Sequence, residues 1–127
     1  MAGTATWTTT DDTRAVKKYS VALTSTAGGA VSGNANSVIG GYAVLAKVMP
    51  NLAGDQPTDL FDLTIVDAES VDILGARGGD CSNATGEYFT FDPPLYIPLN
   101  STLDIVLANA GNAKKARVDI YIRGERN

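Results

Sequence analysis

The residue types that most often perform catalysis or bind metals are scarce in this chain. Its 127 residues include no histidine and a single cysteine, Cys81. The lack of histidine excludes Ser-His-Asp and Cys-His catalytic sets and histidine-bound zinc. A lone cysteine excludes an internal disulfide and a cysteine-rich metal cluster. A reactive thiolate needs a stabilising cation, for which Arg77 is the one candidate nearby in sequence. We therefore expect no enzymatic activity and no cofactor.

The acidic residues between positions 59 and 72 are the other candidates for chemistry. Neighbouring carboxylates can bind calcium or act as the acid and base of a glycoside hydrolase. Their spacing does not match an EF-hand loop, and the short chain has no rich aromatic cleft. Calcium binding is kept as a minor alternative to solvated loop carboxylates. The residues concerned are Asp59, Asp62, Asp67, Glu69 and Asp72.

Four tyrosines at alternating positions are candidates for stacking on a sugar. Tyrosines in such positions are more often half-buried packing residues with a solvated hydroxyl. A carbohydrate-binding, lectin-like module therefore stands as an alternative function rather than as the main one. The tyrosines are Tyr42, Tyr88, Tyr96 and Tyr121.

The last quarter of the chain shows the clearest structural pattern. Two runs in which every second residue is apolar flank a break that contains Gly111 and Asn112. Alternation of this kind predicts strands with one buried face, and glycine and asparagine favour a turn. We predict a β-hairpin over 101–122. The inward residues are Leu103, Ile105 and Leu107 in the first run and Val118, Ile120 and Ile122 in the second.

Earlier segments have the same texture. The pattern predicts strands over 16–24, 38–49, 60–66, 71–74 and 87–91, with a short helix over 42–48 as the competing interpretation of the second. Prolines bracket 95–97, which predicts an edge strand or an extended crossing there. Seven or eight short strands with frequent turns indicate an all-β protein. We predict a single-domain antiparallel β-sandwich, jelly-roll-like.

The first fourteen residues differ from the rest because they are rich in threonine and have a single large apolar side chain, Trp7. We interpret residues 1–14 as an N-terminal arm and residues 15–127 as the β-sandwich domain. Aromatic residues dominate the energetics of interfaces, so Thr4, Trp7 and Thr9 are candidates for docking on a neighbour. Packing of Trp7 on its own domain is the equal alternative.

Charge is unevenly distributed along the chain, whose net charge is −4. Residues 1–49 carry four basic and two acidic side chains, residues 50–110 one and ten, and residues 111–127 five and two. A broad nucleic-acid surface needs a continuous basic face, so we expect no nucleic-acid binding. The chain shows neither a secretion signal nor an apolar run of the roughly 20 residues that span a bilayer, so we expect no membrane insertion.

Two further segments are candidate interfaces. Leu95, Tyr96 and Ile97 form an apolar stretch between prolines and are a candidate subunit contact. Lys114 and Lys115 lie in the basic tail and are candidates to meet the acidic middle of a neighbouring copy.

Three segments between Thr58 and Ile122 resemble proteins encoded among the head genes of tailed bacteriophages. They are Thr58-Asp-Leu-Phe-Asp-Leu-Thr-Ile-Val-Asp-Ala-Glu-Ser-Val-Asp-Ile-Leu-Gly, Cys81-Ser-Asn-Ala-Thr-Gly-Glu and the alternating stretch from Leu103 to Ile122. The match covers about half of the chain and is closest to capsid decoration (cement) proteins of the jelly-roll or β-sandwich type.

The resemblance implies a virion component that binds the exterior of the capsid. Its expected partners are the phage major capsid protein and further copies of itself, in a dimer or trimer. It would be synthesised in the cytoplasm of the host bacterium. A phage neck or tail component is the first alternative function.

Overall fold

The structure is a computed structural model, which describes residues 3–11, 16–32, 36–38, 41–51, 53–97 and 101–123. These residues form eight strands and no helix, and hence no helix that could cross a membrane. The strands are β1 (Thr4–Asp11), β2 (Val16–Thr24), β3 (Asn36–Val38), β4 (Gly41–Pro50), β5 (Asp62–Val66), β6 (Glu87–Ile97), β7 (Ser101–Ala108) and β8 (Lys115–Arg123).

The strands form two antiparallel sheets. One contains five strands in the order β1-β2-β8-β4-β6, and the other three in the order β3-β7-β5. From β2 onward, each successive strand belongs to the opposite sheet. The chain therefore crosses between the layers at every connection after β2.

The pairing shows how this winding arises. β2 pairs with β8, β3 with β7 and β4 with β6, as in one long hairpin that turns around at β5. Rolling that hairpin up brings β4 against β8 and β5 against β7. This is the topology of a jelly roll, so the predicted single-domain, jelly-roll-like β-sandwich is confirmed.

The core lies between the inner faces of the two sheets. The five-stranded sheet contributes Val21 and Ile120, each with no exposed surface, and the three-stranded sheet contributes Ile65 and Ile105 in the same state. Burying a side chain of this size stabilises the fold by about 1.5–3 kcal/mol. The strand predicted over 16–24 is confirmed with the same bounds, because its alternation is regular from end to end.

The predicted hairpin over 101–122 is wrong, although its two strands exist. β7 belongs to the three-stranded sheet, whereas β8 lies between β2 and β4 in the other. Six residues, 109–114, connect them, and they bridge the roughly 10 Å between packed sheets. Both inner faces of a sandwich bury every second residue, so alternation alone does not distinguish two paired strands from two facing strands.

The region around 38–49 also departs from the prediction. Val38 ends β3, and β4 runs from Gly41 to Pro50. Because residues 42–48 lie within β4, the competing helix is excluded. The register of β4 shifts between Ala43 and Leu45. Val44 is the extra residue, and the inward parity changes there from odd to even numbers, with Ala43 and Ala46 both fully buried. A β-bulge of this kind is not visible as a break in alternation when both faces are apolar.

The acidic middle of the chain holds one further difference. The strand predicted over 71–74 is a turn in the structure, joined to β5 by a single bridge between Val66 and Asp72. The predicted strands over 60–66 and 87–91 are present as β5 and the first part of β6. The stretch 95–97 continues β6, which is an edge strand as the prolines predicted.

The first described residues of the predicted arm form β1. It pairs with β2 in continuous register from Thr4 opposite Thr24 to Asp11 opposite Lys17. Residues 1, 2 and 12–14 of that arm, and 124–127 of the basic tail, lie outside the described residues.

Candidate functional site

Four of the five acidic residues considered for calcium or hydrolysis stabilise the local backbone, whereas the fifth, Glu69, is exposed in a turn. Asp67 Oδ1 accepts the N–H groups of Glu69 (2.9 Å) and Val71 (3.0 Å). Asp72 accepts three N–H groups, those of Ile65 and two residues of the following turn. Among the described residues, no group of three or more acidic or cysteine side chains is placed to hold a metal ion.

Asp62 and Asp59 act in the same way on the neighbouring loop. Asp62 accepts the N–H of Asp80 (3.0 Å) and an amide hydrogen of Asn109 (2.7 Å). Both hydrogen bonds lower the pKa of Asp62 below its usual value, and the bond from the backbone N–H of Asp80 has the larger effect. Asp59 accepts the N–H of Asn83. The carboxylates thus explain how the long turn-rich segment between β5 and β6 is ordered.

Cys81 is fully buried, and its thiol donates to the carbonyl oxygen of Gly78 at 3.2 Å. Burial, followed by the negative charges of Glu87, Asp62 and Asp80, raises its pKa to about 12. Such a thiol keeps its proton at neutral pH and is a poor nucleophile.

Arg77, the cation considered above for stabilising a Cys81 thiolate, contacts β6. Its guanidinium donates to the carbonyl oxygens of Leu74 (2.9 Å) and Thr90 (2.6 Å) and lies 5.3 Å from the centre of the Phe91 ring. Arg77 therefore ties the 74–79 turn to the edge strand and holds that side of the sandwich closed.

Next to this tie, an apolar groove of about 450 Å³ opens between the two sheets. It lies where β5 passes into a turn instead of a further strand. Its walls are Leu95 and Ile97 of β6, Leu103 of β7, and Val71 and Ile73 of the turn. Val71 is 56% exposed. Asp67, Glu69 and Asp72 also line the groove, and none of the described basic residues does.

The three residues predicted as one subunit contact all contribute to the lining of this groove, although the side chain of Tyr96 differs in direction from those of its neighbours. Leu95 and Ile97 alternate toward the interior and line the groove, where Ile97 is buried. Tyr96 pairs with Tyr42 and projects from the opposite surface, the outer face of the five-stranded sheet. It is 48% exposed, and its ring centre lies 5.5 Å from that of Tyr42.

That outer face, called the basic face below, combines cations with aromatic rings. Register and burial place five basic and two acidic side chains on it among the described residues. All four tyrosines considered above lie on it as well. The basic residues are Lys18, Lys47, Lys115, Arg117 and Arg123; the acidic ones are buried Asp119 and exposed Asp92.

Asp119 lies at the centre of the basic face and is 1% exposed. Its Oδ1 accepts the hydroxyl hydrogen of Ser20 at 2.7 Å. Its Oδ2 lies 3.1 Å from Nη2 of Arg117 and 3.8 Å from Nζ of Lys47. The three partners come from three adjacent strands, so one carboxylate links β2, β8 and β4 and fixes two cations on the surface.

Cations also lie against the rings of the basic face. Nζ of Lys47 lies 5.7 Å from the centre of the Tyr88 ring, and the guanidinium carbon of Arg123 lies 5.4 Å from that of Tyr42. Both distances are within the range of cation–π attraction. Tyr88 is 67% exposed, so its ring projects into solvent beside the ammonium group of Lys47.

Sequence reasoning missed this face because its residues come from separate strands. Asp119 was expected on a solvated face, since it alternates with Val118 and Ile120. A signal did exist: Ser20, Lys47 and Arg117 all have the outward parity of their strands, and only pairing brings them around one carboxylate.

The remaining predicted interface residues take part in the fold itself. Trp7 is half-buried and packs against the core, whereas Thr4 and Thr9 are exposed on β1. The backbone N–H of Lys114 donates to the hydroxyl of Ser25. Lys115 lies 4.0 Å from Asp55 of the same chain, in an exposed ion pair. The basic tail thus meets the acidic middle within one molecule at this point.

The opposite side of the molecule is acidic. Asp62 and Asp104 project from the outer face of the three-stranded sheet, because their neighbours Leu63, Leu103 and Ile105 point into the core. No basic residue lies on the described part of that face. We call it the acidic face.

Comparison with known protein families, curated proteins and solved structures finds no match to this chain.

Proposed function

We propose that this protein is a non-enzymatic structural component of a bacteriophage virion that binds the outer surface of the capsid and stabilises it. The resemblance of the segments between Thr58 and Ile122 to decoration proteins supports the capsid as the site of action. The jelly-roll sandwich suits this role, since a cement protein adds contacts at lattice junctions and needs a rigid body rather than a reaction centre.

The observation that carries the proposal is the apolar groove between the sheets. Half-exposed Val71 and the walls formed by Leu95 and Ile73 offer a site for an apolar segment of another protein. Its volume of about 450 Å³ lies within the roughly 300–1,000 Å³ range of binding pockets. The three acidic residues in its lining favour a segment that carries basic residues beside its apolar ones.

The occupant in this proposal is an exposed segment of the phage major capsid protein. Each copy contributes a modest contact, and many copies on one lattice together stabilise the closed shell by mass action. A neck or tail component would use the same groove on a partner present in few copies, so copy number separates the two functions.

Co-sedimentation with purified phage heads that lack this protein tests the groove. The variant Val71→Glu places a charge at an exposed position in the groove and is expected to weaken binding at least tenfold. Leu60→Glu is the matched control, because Leu60 is similarly exposed at 58% but lies outside the groove. Equal binding of both variants and the unaltered protein would remove the groove from the proposal, and absence of binding by the unaltered protein would overturn the decoration function.

A further inference from the structure

The basic face and the acidic face cover opposite sheets of one sandwich and carry opposite charge. The first presents five basic side chains against buried Asp119 and exposed Asp92, with Lys115 also paired to Asp55. The second presents Asp62 and Asp104 without a basic residue among the described ones. Surfaces of opposite sign attract and orient each other as they approach. The geometry points to a head-to-tail contact in which the basic face of one copy docks on the acidic face of a second copy.

The basic face is organised for a contact before any partner arrives. Asp119 holds Arg117 and Lys47 in place, so little side-chain freedom is lost when they meet an anion. Tyr88 and Tyr96, at 67% and 48% exposure, supply apolar area beside those charges. Tyrosine and arginine are the residue types that most often anchor protein interfaces.

The acidic face carries few charged side chains, which suits it to receive the cations of the basic face. Between Asp62 and Asp104, the outward positions of β5 and β7 hold Thr64, Val66 and Val106, all half-buried. Asn109 fixes the carboxylate of Asp62. The face thus offers two separated carboxylates on an otherwise uncharged sheet surface.

A second copy fits the basic face better than nucleic acid does. The chain carries a net charge of −4, which opposes the approach of a polyanion more strongly than that of a second copy, whose acidic face carries two carboxylates. Because the contact joins two different surfaces, it is heterologous. Successive copies then form a ring if the rotation between them closes, or a chain if it does not.

This inference rests on the self-association that the proposed function expects, but not on capsid binding. The chain alone is sufficient for its test. A monomeric protein that still binds heads would overturn the head-to-tail contact and leave the decoration function standing. A protein that self-associates but does not bind phage heads would overturn the decoration function and leave the head-to-tail contact standing.

Mass measurement by light scattering after size-exclusion chromatography, with sedimentation velocity, tests the contact. Lys18→Glu/Arg123→Glu makes both faces acidic, and Thr64→Lys/Asp104→Lys makes both faces basic. Neither variant removes a partner of Asp119, and circular dichroism checks that each is folded. Ala84→Lys adds a charge at an exposed loop position outside both faces and outside the groove, and serves as the control.

The unaltered protein and the control are expected to assemble at about 50 mM salt and to dissociate by about 500 mM, where charges are screened beyond roughly 3–5 Å. Each double variant alone is expected to be monomeric, and an equimolar mixture of the two to associate again. A monomeric unaltered protein at low salt, or a mixture that fails to associate, would overturn the proposal. Binding of the protein to nucleic acid, without binding to a second copy, would identify a different partner for the basic face and would also overturn the proposal.

Discussion

Asp119 is the residue whose replacement tests the structure most severely, because it places a charge at 1% exposure between two sheet neighbours. Replacing Asp119 with alanine removes the acceptor of Ser20 and leaves Lys47 and Arg117 without their anion. Breaking a fully buried ion pair costs about 3–5 kcal/mol, and losing a hydrogen bond to a charged group costs about 1.5–3 kcal/mol.

Because both cations are partly exposed, the free-energy cost of breaking this ion pair is smaller than that of a fully buried pair. Arg117 is 49% exposed and Lys47 20% exposed, so water can solvate both once the carboxylate is gone. We therefore expect Asp119→Ala to lower the free energy of unfolding by about 2–3 kcal/mol. Asp119→Asn keeps an acceptor for Ser20 but turns an amide toward the cations, and is expected to cost about 1–2 kcal/mol.

Urea denaturation followed by tryptophan fluorescence and circular dichroism measures both changes. The midpoint is expected to fall while the slope with denaturant stays constant, which indicates lost stability without a changed unfolded state. Glu69→Gln, an exposed carboxylate in a turn, is the control. If Asp119→Ala unfolds within about 0.5 kcal/mol of this control, Asp119 does not link the three strands and the reasoning fails.

Three further outcomes follow from the core and the turns. The thiol of Cys81, with its pKa raised to about 12, is expected to react with a disulfide reagent at pH 8 only after unfolding; rapid reaction of the native protein would contradict its burial. An unfolded thiol ionises near pH 9 while the folded one keeps its proton, so Cys81 makes stability fall as pH rises from about 9 to about 12. The difference in unfolding free energy between the unaltered protein and Cys81→Ala should be constant below pH 9 and shift against the unaltered protein above it, whereas a constant difference would refute the raised pKa. A Cβ at Gly78 would overlap the carbonyl oxygen of Leu63, whereas at Gly79 the nearest atom is 3.7 Å away. Gly78→Ala is therefore expected to lose at least about 2 kcal/mol in urea denaturation and Gly79→Ala less than about 0.5 kcal/mol, and equal effects would mean that this turn is packed differently.

Local alternation predicted the faces of the strands well. In β2, Tyr19, Val21 and Leu23 point inward as their spacing requires, and in β5 the same holds for Leu63 and Ile65. Each of these assignments depends only on the two-residue period of a strand, which neighbouring residues determine. The all-β class and the sandwich follow from the number of such segments.

Partner choice was not predictable in the same way. Alternation says which side of β7 is buried but not which sheet it joins, so β7 and β8 were assigned to one hairpin although they face each other across the core. The bulge at Val44 inverted the parity of the rest of β4 without a visible change of pattern. Both features depend on residues far apart in sequence, as does the basic face around Asp119.

The groove, too, was only partly predictable from the sequence. The apolar character of 95–97 was evident from the sequence, and all three residues line the groove, but Tyr96 has the outward parity of β6 and its two neighbours have the inward parity. The lining from Val71 and Ile73 depends on the turn that replaces a strand after β5. A contact surface of this kind is defined by the winding of the chain and not by any one segment.

If the protein coats a capsid, as we propose, it must be abundant in purified virions. Quantitative mass spectrometry against the major coat protein, in virions from the source of this sequence, gives the copy number per particle. A copy number comparable to that of the coat protein is the predicted result. A handful of copies per particle would indicate a neck or tail component, and complete absence from virions would contradict the account.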